Sequence, residues 1–354
     1  MSCSFAVWGC KDYSTFPDYG GKHDPFIKEL HINFWNINSK KIYCLDFGLA
    51  FTMPNSSDIA DKGSICVFFP FKKRKEDLND LSSNLDKNRD LVTSVFNEYL
   101  IKSENIASKF LKLELTNKGS IVMNTKLDFI NGNLDQRVKV ENRSDGTLVI
   151  FKLKGCLSRE KDCVHYIRFR IFLNEQETKK IVKTFYPSDS FLKSNLERSD
   201  IIDFRVNEQR NLPSEISSTL ACSSCTPQKY HFFVIRDMND ECSLSGNNYQ
   251  GCRILESETW GKYFTNKISF GKNDPMIYHW KITHNDDKRL SDFSAVAKFK
   301  NTKAKITKIL AYIFYGLAIS FMMKYVPTHS NELGYAILIL LISYISIHFF
   351  KYRK

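Results

Sequence analysis

ILAYIFYGLAISFMM (Ile309–Met323) and LGYAILILLISYISIHFF (Leu333–Phe350), parted by the polar PTHSNE (Pro327–Glu332), close a chain of 354 residues. A helix needs about 20 apolar residues to cross about 30 Å of hydrocarbon. The second run has that length. The first reaches it once Lys308 and Lys324 extend their ammonium groups into the headgroup layers. Neither run carries the polar face of a helix lying on a soluble core. Their main interruptions are Ser320, Ser343 and Ser346, and a serine hydroxyl can bond back to its own helix. The expectation is a two-helix transmembrane hairpin, with spans 309–326 and 333–350 around an external turn at 327–332. A buried helical hairpin in a soluble core is the alternative. The opening MSCSFAVWGC has neither the basic flank nor the apolar length of a signal peptide.

Charge orients the hairpin. Lys298, Lys300, Lys303, Lys305 and Lys308 precede it, Lys351, Arg353 and Lys354 follow it, and the connecting side holds only Lys324, His329 and Glu332. The positive-inside rule then places both termini in the cytoplasm and the turn outside, as a two-pass protein. The formal charge of +12 suggests a nucleic-acid binder. Setting aside nine basic residues of the membrane region and Glu332 leaves 42 basic against 38 acidic residues. Most of the excess therefore sits beside the lipid, where each Lys attracts anionic headgroups by about 1 kcal/mol. The ten cysteines are scattered at irregular spacing. In a cytosolic domain they stay reduced.

Upstream of residue 289 the pattern is mainly of period two. ELHINFWNI (29–37) and KIYCLDFGLAF (41–51) predict a hairpin around Asn-Ser-Lys, and SICVFFPF (64–71) predicts another strand. Between Asp77 and Leu100 the period becomes helical and breaks near Asp86–Asn88, predicting two short helices or one kinked helix. Strands resume at 110–115, 120–125, 136–142 and 147–153, with turns rich in Asn and Gly. HYIRFRIFL (165–173) alternates most strictly, with Tyr166, Arg168 and Arg170 on one face. Further strands are expected at 200–209, 229–237, 252–257 and 276–283, and short helices near 190–196, 213–220 and 259–264. RLSDFSAVAKFK (289–300) places Leu290, Phe293 and Ala297 on one helical face.

The fold class expected is α+β: a large β-rich cytosolic domain followed by the transmembrane hairpin. Its parts are a β-rich subdomain over 1–155 with a helical insert near 77–100, and a second α+β subdomain over 156–288. A basic juxtamembrane helix over 289–308, the two spans and a tail at 351–354 complete it.

Candidate chemistry is sparse. Asp46-Phe47-Gly48 copies the magnesium-binding DFG of kinases, but the loops a kinase carries before it are missing, and a strand ending at glycine is the simpler reading. Cys222 and Cys225, with Cys242 and Cys252 and with His231 between, supply enough soft ligands for zinc, though not at knuckle spacing. A redox pair, or loop or core cysteines, are the alternatives. No GxSxG, HExxH, P-loop or GxGxxG pattern is present, so no catalytic residue and no cofactor is assigned. His165, His279 and His284 read as packing residues. Asp200, Asp203, Arg205, Asn207, Glu208 and Arg210 form either a site or a salt-bridged turn. Lys72–Lys75 beside Phe68, Phe69 and Phe71 form either a phosphate contact or a solvated strand end. Within the apolar runs, Gly316 with Ser320 makes a small-xxx-small pair suited to close helix packing, and Ser343 with Ser346 can line a seam between hairpins. Two helices cannot enclose a pore, so a channel would need a homo-oligomer.

ICVFFPF (65–71), DLNDLSSNL (77–85), VFNEYL (95–100), IIDFRVNEQRNLP (201–213) and ILESETWGKYF (254–264), with the apolar end, resemble the two-transmembrane effectors of bacterial retrons, which are reverse-transcriptase-based anti-phage systems. The resemblance implies an effector held silent by the reverse transcriptase with its RNA-linked DNA. Sensed infection would release it to disrupt the lipid bilayer and arrest or kill the cell. The alternative is a membrane-tethered nuclease or hydrolase with an unrecognised cytosolic site.

Overall fold

The computed structural model describes residues 3–11, 24–130, 137–143, 145–160, 163–186, 197–223, 225–264, 270, 274–284 and 291–302, with 313, 316, 317 and 320 beyond them. The strands run β1 (Ala6–Cys10), β2 (Ile27–Ile37), β3 (Ile42–Phe51), β4 (Ser64–Phe69), β5 (Leu78–Asp80) and β6 (Leu100–Ala107). Next come β7 (Phe110–Leu115), β8 (Gly119–Asn124), β9 (Val138–Arg143), β10 (Gly146–Lys152), β11 (Val164–Phe172) and β12 (Val182–Phe185). The last are β13 (Glu197–Val206), β14 (Lys229–Arg236), β15 (Glu241–Ser245), β16 (Tyr249–Ile254), β17 (Met276–Thr283) and β18 (Phe293–Thr302). Between them lie α1 (Ser57–Lys62), α2 (Ser82–Asp86), α3 (Arg89–Phe96), α4 (Leu153–Cys156), α5 (Glu175–Ile181), α6 (Ser214–Ala221) and α7 (Ser257–Gly261).

The strands form three sheets. A 10-stranded sheet has the order β16-β17-β14-β2-β3-β11-β8-β7-β6, with β5 also on β11. Two four-stranded sheets, β1-β4-β10-β9 and β12-β13-β18-β15, complete the set. The expected hairpin of β2 and β3 stands at the centre of the large sheet. Its turn is closed by Lys41 at φ 53°, whose N–H donates to Asn38 O. One apolar core joins all three sheets: Phe34, Phe47, Phe169 and Phe232 of the large sheet pack with Val7, Val67 and Phe151 of the second and Phe204, Ala295 and Phe299 of the third. The outer face of the large sheet is covered by a second core, in which Leu85 of α2, Leu91 and Phe96 of α3 and Trp260 of α7 join residues of the sheet, Trp260 against Trp35 and Phe96 against Tyr166. A third cluster covers the outer face of the β1-β4-β10-β9 sheet with Ile216 and Leu220 of α6.

The expected fold class is corrected by these elements. The described fold is carried by strands, not by an α+β arrangement leading into a transmembrane hairpin, and its helices are short covers. No described helix is long and apolar enough to cross a membrane; α3 and α6 have eight residues each, against about 20 required. Residues 309–350 lie, but for four, outside the described ones.

The helix expected over 289–308 is replaced, in its described part, by strand β18. Phe293, Ala295, Ala297 and Phe299 are buried in alternation with outward Ser294, Val296, Lys298 and Lys300. Both a helical and a strand phase fit the spacing of Phe293 and Ala297; pairing with β13 and β15 selects the strand. The bulk of the described chain, residues 1–186 with 199–301, is one compact unit; residues 187–198 and 302–354 make up a second.

Candidate functional site

Side chains two apart on a strand share a face, and sheet pairing sets their neighbours. On the outer face of the large sheet this assembles a polar row. Lys281 on β17 is opposite His231 on β14, His231 is beside His31 on β2, His31 is opposite Gly48 on β3, and Gly48 is opposite Arg168 on β11. The next register carries Lys229, Glu29, Ala50 and Tyr166; the one beyond His31 carries His279, Phe233, Asn33, Asp46 and Arg170. The parallel pairing of β14 with β2 joins residues 200 positions apart, as in the bond from Lys229 Nζ to Glu29 Oε1 at 2.6 Å.

At the centre of the row, His31 Nε2 is 3.1 Å from Glu29 Oε2, and His31 Nδ1 is 3.3 Å from the Tyr166 hydroxyl. His231 Nδ1 is 3.0 Å from His279 Nε2, with the two rings stacked 5° from parallel. The rings of His31 and His231 meet edge to face at 4.9 Å. One ligand atom each from Glu29, His31 and His231 lies within 4.8 Å of the others. The group is only partly covered, with 24% of the Glu29 side chain and 12% of the His31 side chain exposed.

The bond from His31, aided by Lys229, holds the Glu29 carboxyl below its ordinary range against the effect of burial. Burial pushes His31 down, opposed by Glu29. Burial also lowers His231, and His31 and His279 add to the effect. His279 falls to about 4, again from burial, with Lys281 contributing. The imidazoles are thus neutral at physiological pH and keep lone pairs available, while Glu29 is ionised.

Toward β11 the row becomes a buried cationic anchor. Arg168 donates from Nε to the Tyr263 hydroxyl at 2.6 Å and from Nη1 to the Tyr166 hydroxyl at 2.9 Å. Gly48 makes the room: a Cβ there would collide with the Tyr166 hydroxyl. Arg170 pairs with Asp46 at 2.6 and 2.9 Å, Trp35 Nε1 donates to Asp46 at 2.8 Å, and the Arg170 guanidinium lies 4.1 Å from the Phe264 ring centre. The kinase-like Asp46-Phe47-Gly48 is therefore an internal part of β3, which continues to Phe51. Asp46 is a buried ion-pair partner and Phe47 is in the core.

Among the other sequence candidates, Cys225 is buried next to Gly9 and Cys222 caps α6, while Cys242 on β15 and the exposed Cys252 on β16 are near enough to interact electrostatically; all four are free thiols. Among the described residues the only group with metal-ligand spacing is Glu29, His31 and His231. Of the polar cluster at 200–210, Asp200 turns inward to Arg236 at 2.7 Å, while Arg205 bridges Asp203 at 2.8 Å and Glu208 at 2.5 Å on the surface. Asn207, Glu208 and Arg210, with Ser291 and Asp292, border an open hollow of about 300 Å³. Of the basic run, Lys73 is buried against Glu177 at 2.5 Å, while Lys72, Arg74 and Lys75 are exposed and Arg74 pairs with Asp77. His165 packs on Phe51, and His284 faces Asp292 O. Lys298 and Lys300 are on β18; Gly316 and Ser320 are described only as helical backbone. Ser343, Ser346, Lys303, Lys305, Lys308, Lys351, Arg353 and Lys354 lie outside the described residues.

Sequence reading passed over Glu29, His31, Lys229 and Tyr166 as site residues. The available signal was the phase of each strand, which puts Glu29 and His31 on one face of β2, and Lys229 and His231 on one face of β14. No protein-family model matches the chain, and no curated protein matches it.

Proposed function

We propose that the chain is an anti-phage effector of the retron kind, acting at the bacterial inner membrane. On this reading the reverse transcriptase with its RNA-linked DNA keeps it inactive, and sensed infection releases a homo-oligomer that disrupts the bilayer. The observation that supports the reading is convergence. Three stretches that carry the resemblance, 77–85, 95–100 and 254–264, contribute to one apolar cover over the large sheet, with Leu85, Phe96, Trp260 and Phe264 in a single buried cluster. Asn84 Nδ2 ties two of them by donating to Tyr263 O at 3.1 Å. A cover made of short helices outside the main core is suited to a regulatory surface, since such layers open at lower cost than central strands.

The test is induction of the full chain in bacteria carrying a membrane-potential dye. Depolarisation is expected, together with its suppression by co-expressed reverse transcriptase and its RNA template, and its loss on deleting residues 306–354. Killing that persists after that deletion, or cells that stay polarised while growth stops, would reject the proposal.

The second reading, an enzyme with a site in the β-rich body, is favoured by the row around His31 and His231. The surface ion pairs of Asp203, Arg205 and Glu208 do not supply it. Under this reading, His31→Ala stops killing while membrane association is unchanged.

A further inference from the structure

We propose that Glu29, His31 and His231 bind one divalent transition-metal ion, zinc being the ion that the donor set fits best. The inference does not rest on the effector reading.

Two imidazoles and a carboxylate are a donor set zinc accepts at about 2.0–2.2 Å, which puts tetrahedral neighbours about 3.3 Å apart. His31 Nε2 and Glu29 Oε2 already stand 3.1 Å apart, and all three donors fall within 4.8 Å. Small side-chain rotations therefore close the set without moving the strands. The surroundings have the form of an outer shell. Metal-bound histidines ordinarily engage their other ring nitrogen, which fixes tautomer and orientation. Here His31 Nδ1 faces the Tyr166 hydroxyl at 3.3 Å and His231 Nδ1 faces His279 Nε2 at 3.0 Å; the ion takes Nε2 of each, and the proton that His31 Nε2 now donates to Glu29 moves to Nδ1, where the Tyr166 oxygen accepts it. Lys229 holds Glu29 by Oε1, leaving Oε2 for the ion.

The local cations oppose binding and define the kind of ligand that completes the site. Lys229, Lys281 and Arg168 surround the row. A bare dication is repelled by them, whereas a metal carrying an anionic fourth ligand is not. Three protein donors with one position open to solvent is the arrangement of zinc sites that activate water, and hydroxide is such an anion. Oxygen and nitrogen donors, not the cysteines, distinguish this site from the Cys222, Cys225, Cys242 and Cys252 set.

The experiment uses the full-length chain, stripped with a chelator and titrated with cobalt(II) as a spectroscopic substitute for zinc. Expected are uptake of one equivalent, visible d–d absorption without a thiolate-to-cobalt charge-transfer band, and displacement by zinc. Glu29→Gln and His231→Ala should each weaken binding at least tenfold, and His279→Ala by about 10–100-fold, as for loss of an outer-shell partner. Should His231→Ala not fold, His31→Gln carries the same test at a partly exposed position. Cys222→Ser with Cys252→Ser should bind as the parent does. Absence of binding by the folded parent, or a thiolate band that the cysteine variant removes and His31→Gln does not, overturns the proposal.

Discussion

His165 shows how a single side chain, passed over as packing, couples the fold to pH. Its Nε2 accepts from the Ser158 N–H at 2.9 Å, so the ring proton is on Nδ1, which is buried without a partner among the described residues. Protonation would set a second N–H against a backbone donor in a site 1% exposed. Burial accordingly lowers its pKa from 6.5 to about 4. Between those values the unfolded chain binds more protons than the folded one, so stability rises with pH across that window. The contribution is complete above about 6.5 and is lost as pH falls to about 4, amounting to about 3 kcal/mol if all of the shift is expressed. Urea unfolding of the parent and of His165→Gln at a series of pH values checks this. Their stability difference should shrink through the window, with the other histidines cancelling because they act in both proteins. A difference that stays constant from pH 7 to pH 4 would disprove the coupling. Sequence alone marked His165 as a packing residue, and its ring does stack on Phe51, but burial as a whole is what lowers its pKa; the Ser158 bond that completes the site depends on a loop seven residues upstream.

At the scale of elements, period two was legible where one strand face is polar, even under cover. β2 and β3 were placed within two residues of their bounds because Glu29, His31 and Asn33 alternate with Leu30, Ile32 and Phe34, and Asp46 and Gly48 with Leu45, Phe47 and Leu49, and the break near Asp86–Asn88 does separate α2 from α3. The segment of β18 reads as a helix because Ala is the strongest helix former and weak in strands, and Phe293 with Ala297 fits either phase. The distinction is testable by substitution. Ala297→Glu puts a carboxylate into the core shared with Phe232 and Trp280 and should cost several kcal/mol, with the protein largely lost from the soluble fraction. Val296→Lys points outward, where 36% of the residue is already exposed, and should change stability by less than about 0.5 kcal/mol. Equal effects of the two in chemical unfolding would contradict the strand.

The whole molecule explains why the polar row escaped sequence reading. Glu29 and His31 meet Lys229 and His231 only because β14 enters the sheet parallel to β2, a pairing that alternation leaves unspecified. The same long-range closure concentrates on Asn207, which follows β13 with φ 61°. Its Oδ1 accepts from Val7 N–H at 2.8 Å, and its Nδ2 contacts Val7 O at 3.0 Å, Tyr230 Oη at 3.0 Å and Ser291 O at 3.1 Å. One amide thereby joins β1, β13, β14 and the entry to β18, that is, all three sheets. Asn tolerates the left-handed region better than other side chains, so this position needs both the backbone conformation and the amide. Asn207→Ala removes the bonds, leaves buried backbone groups of Val7 unpaired and adds strain, with an expected cost of about 3 kcal/mol. Asn207→Gly relieves only the strain and should recover about 1 kcal/mol. Because one core spans the three sheets, the loss should shift the unfolding of the unit as a whole. Tryptophan fluorescence, reporting on Trp8 in one small sheet and on Trp35 and Trp280 in the large one, should therefore move together with far-UV circular dichroism. An Asn207→Ala protein in which the two signals part would mean that the β1 sheet is released on its own, and that the amide is a local clasp instead of the joint of the three sheets.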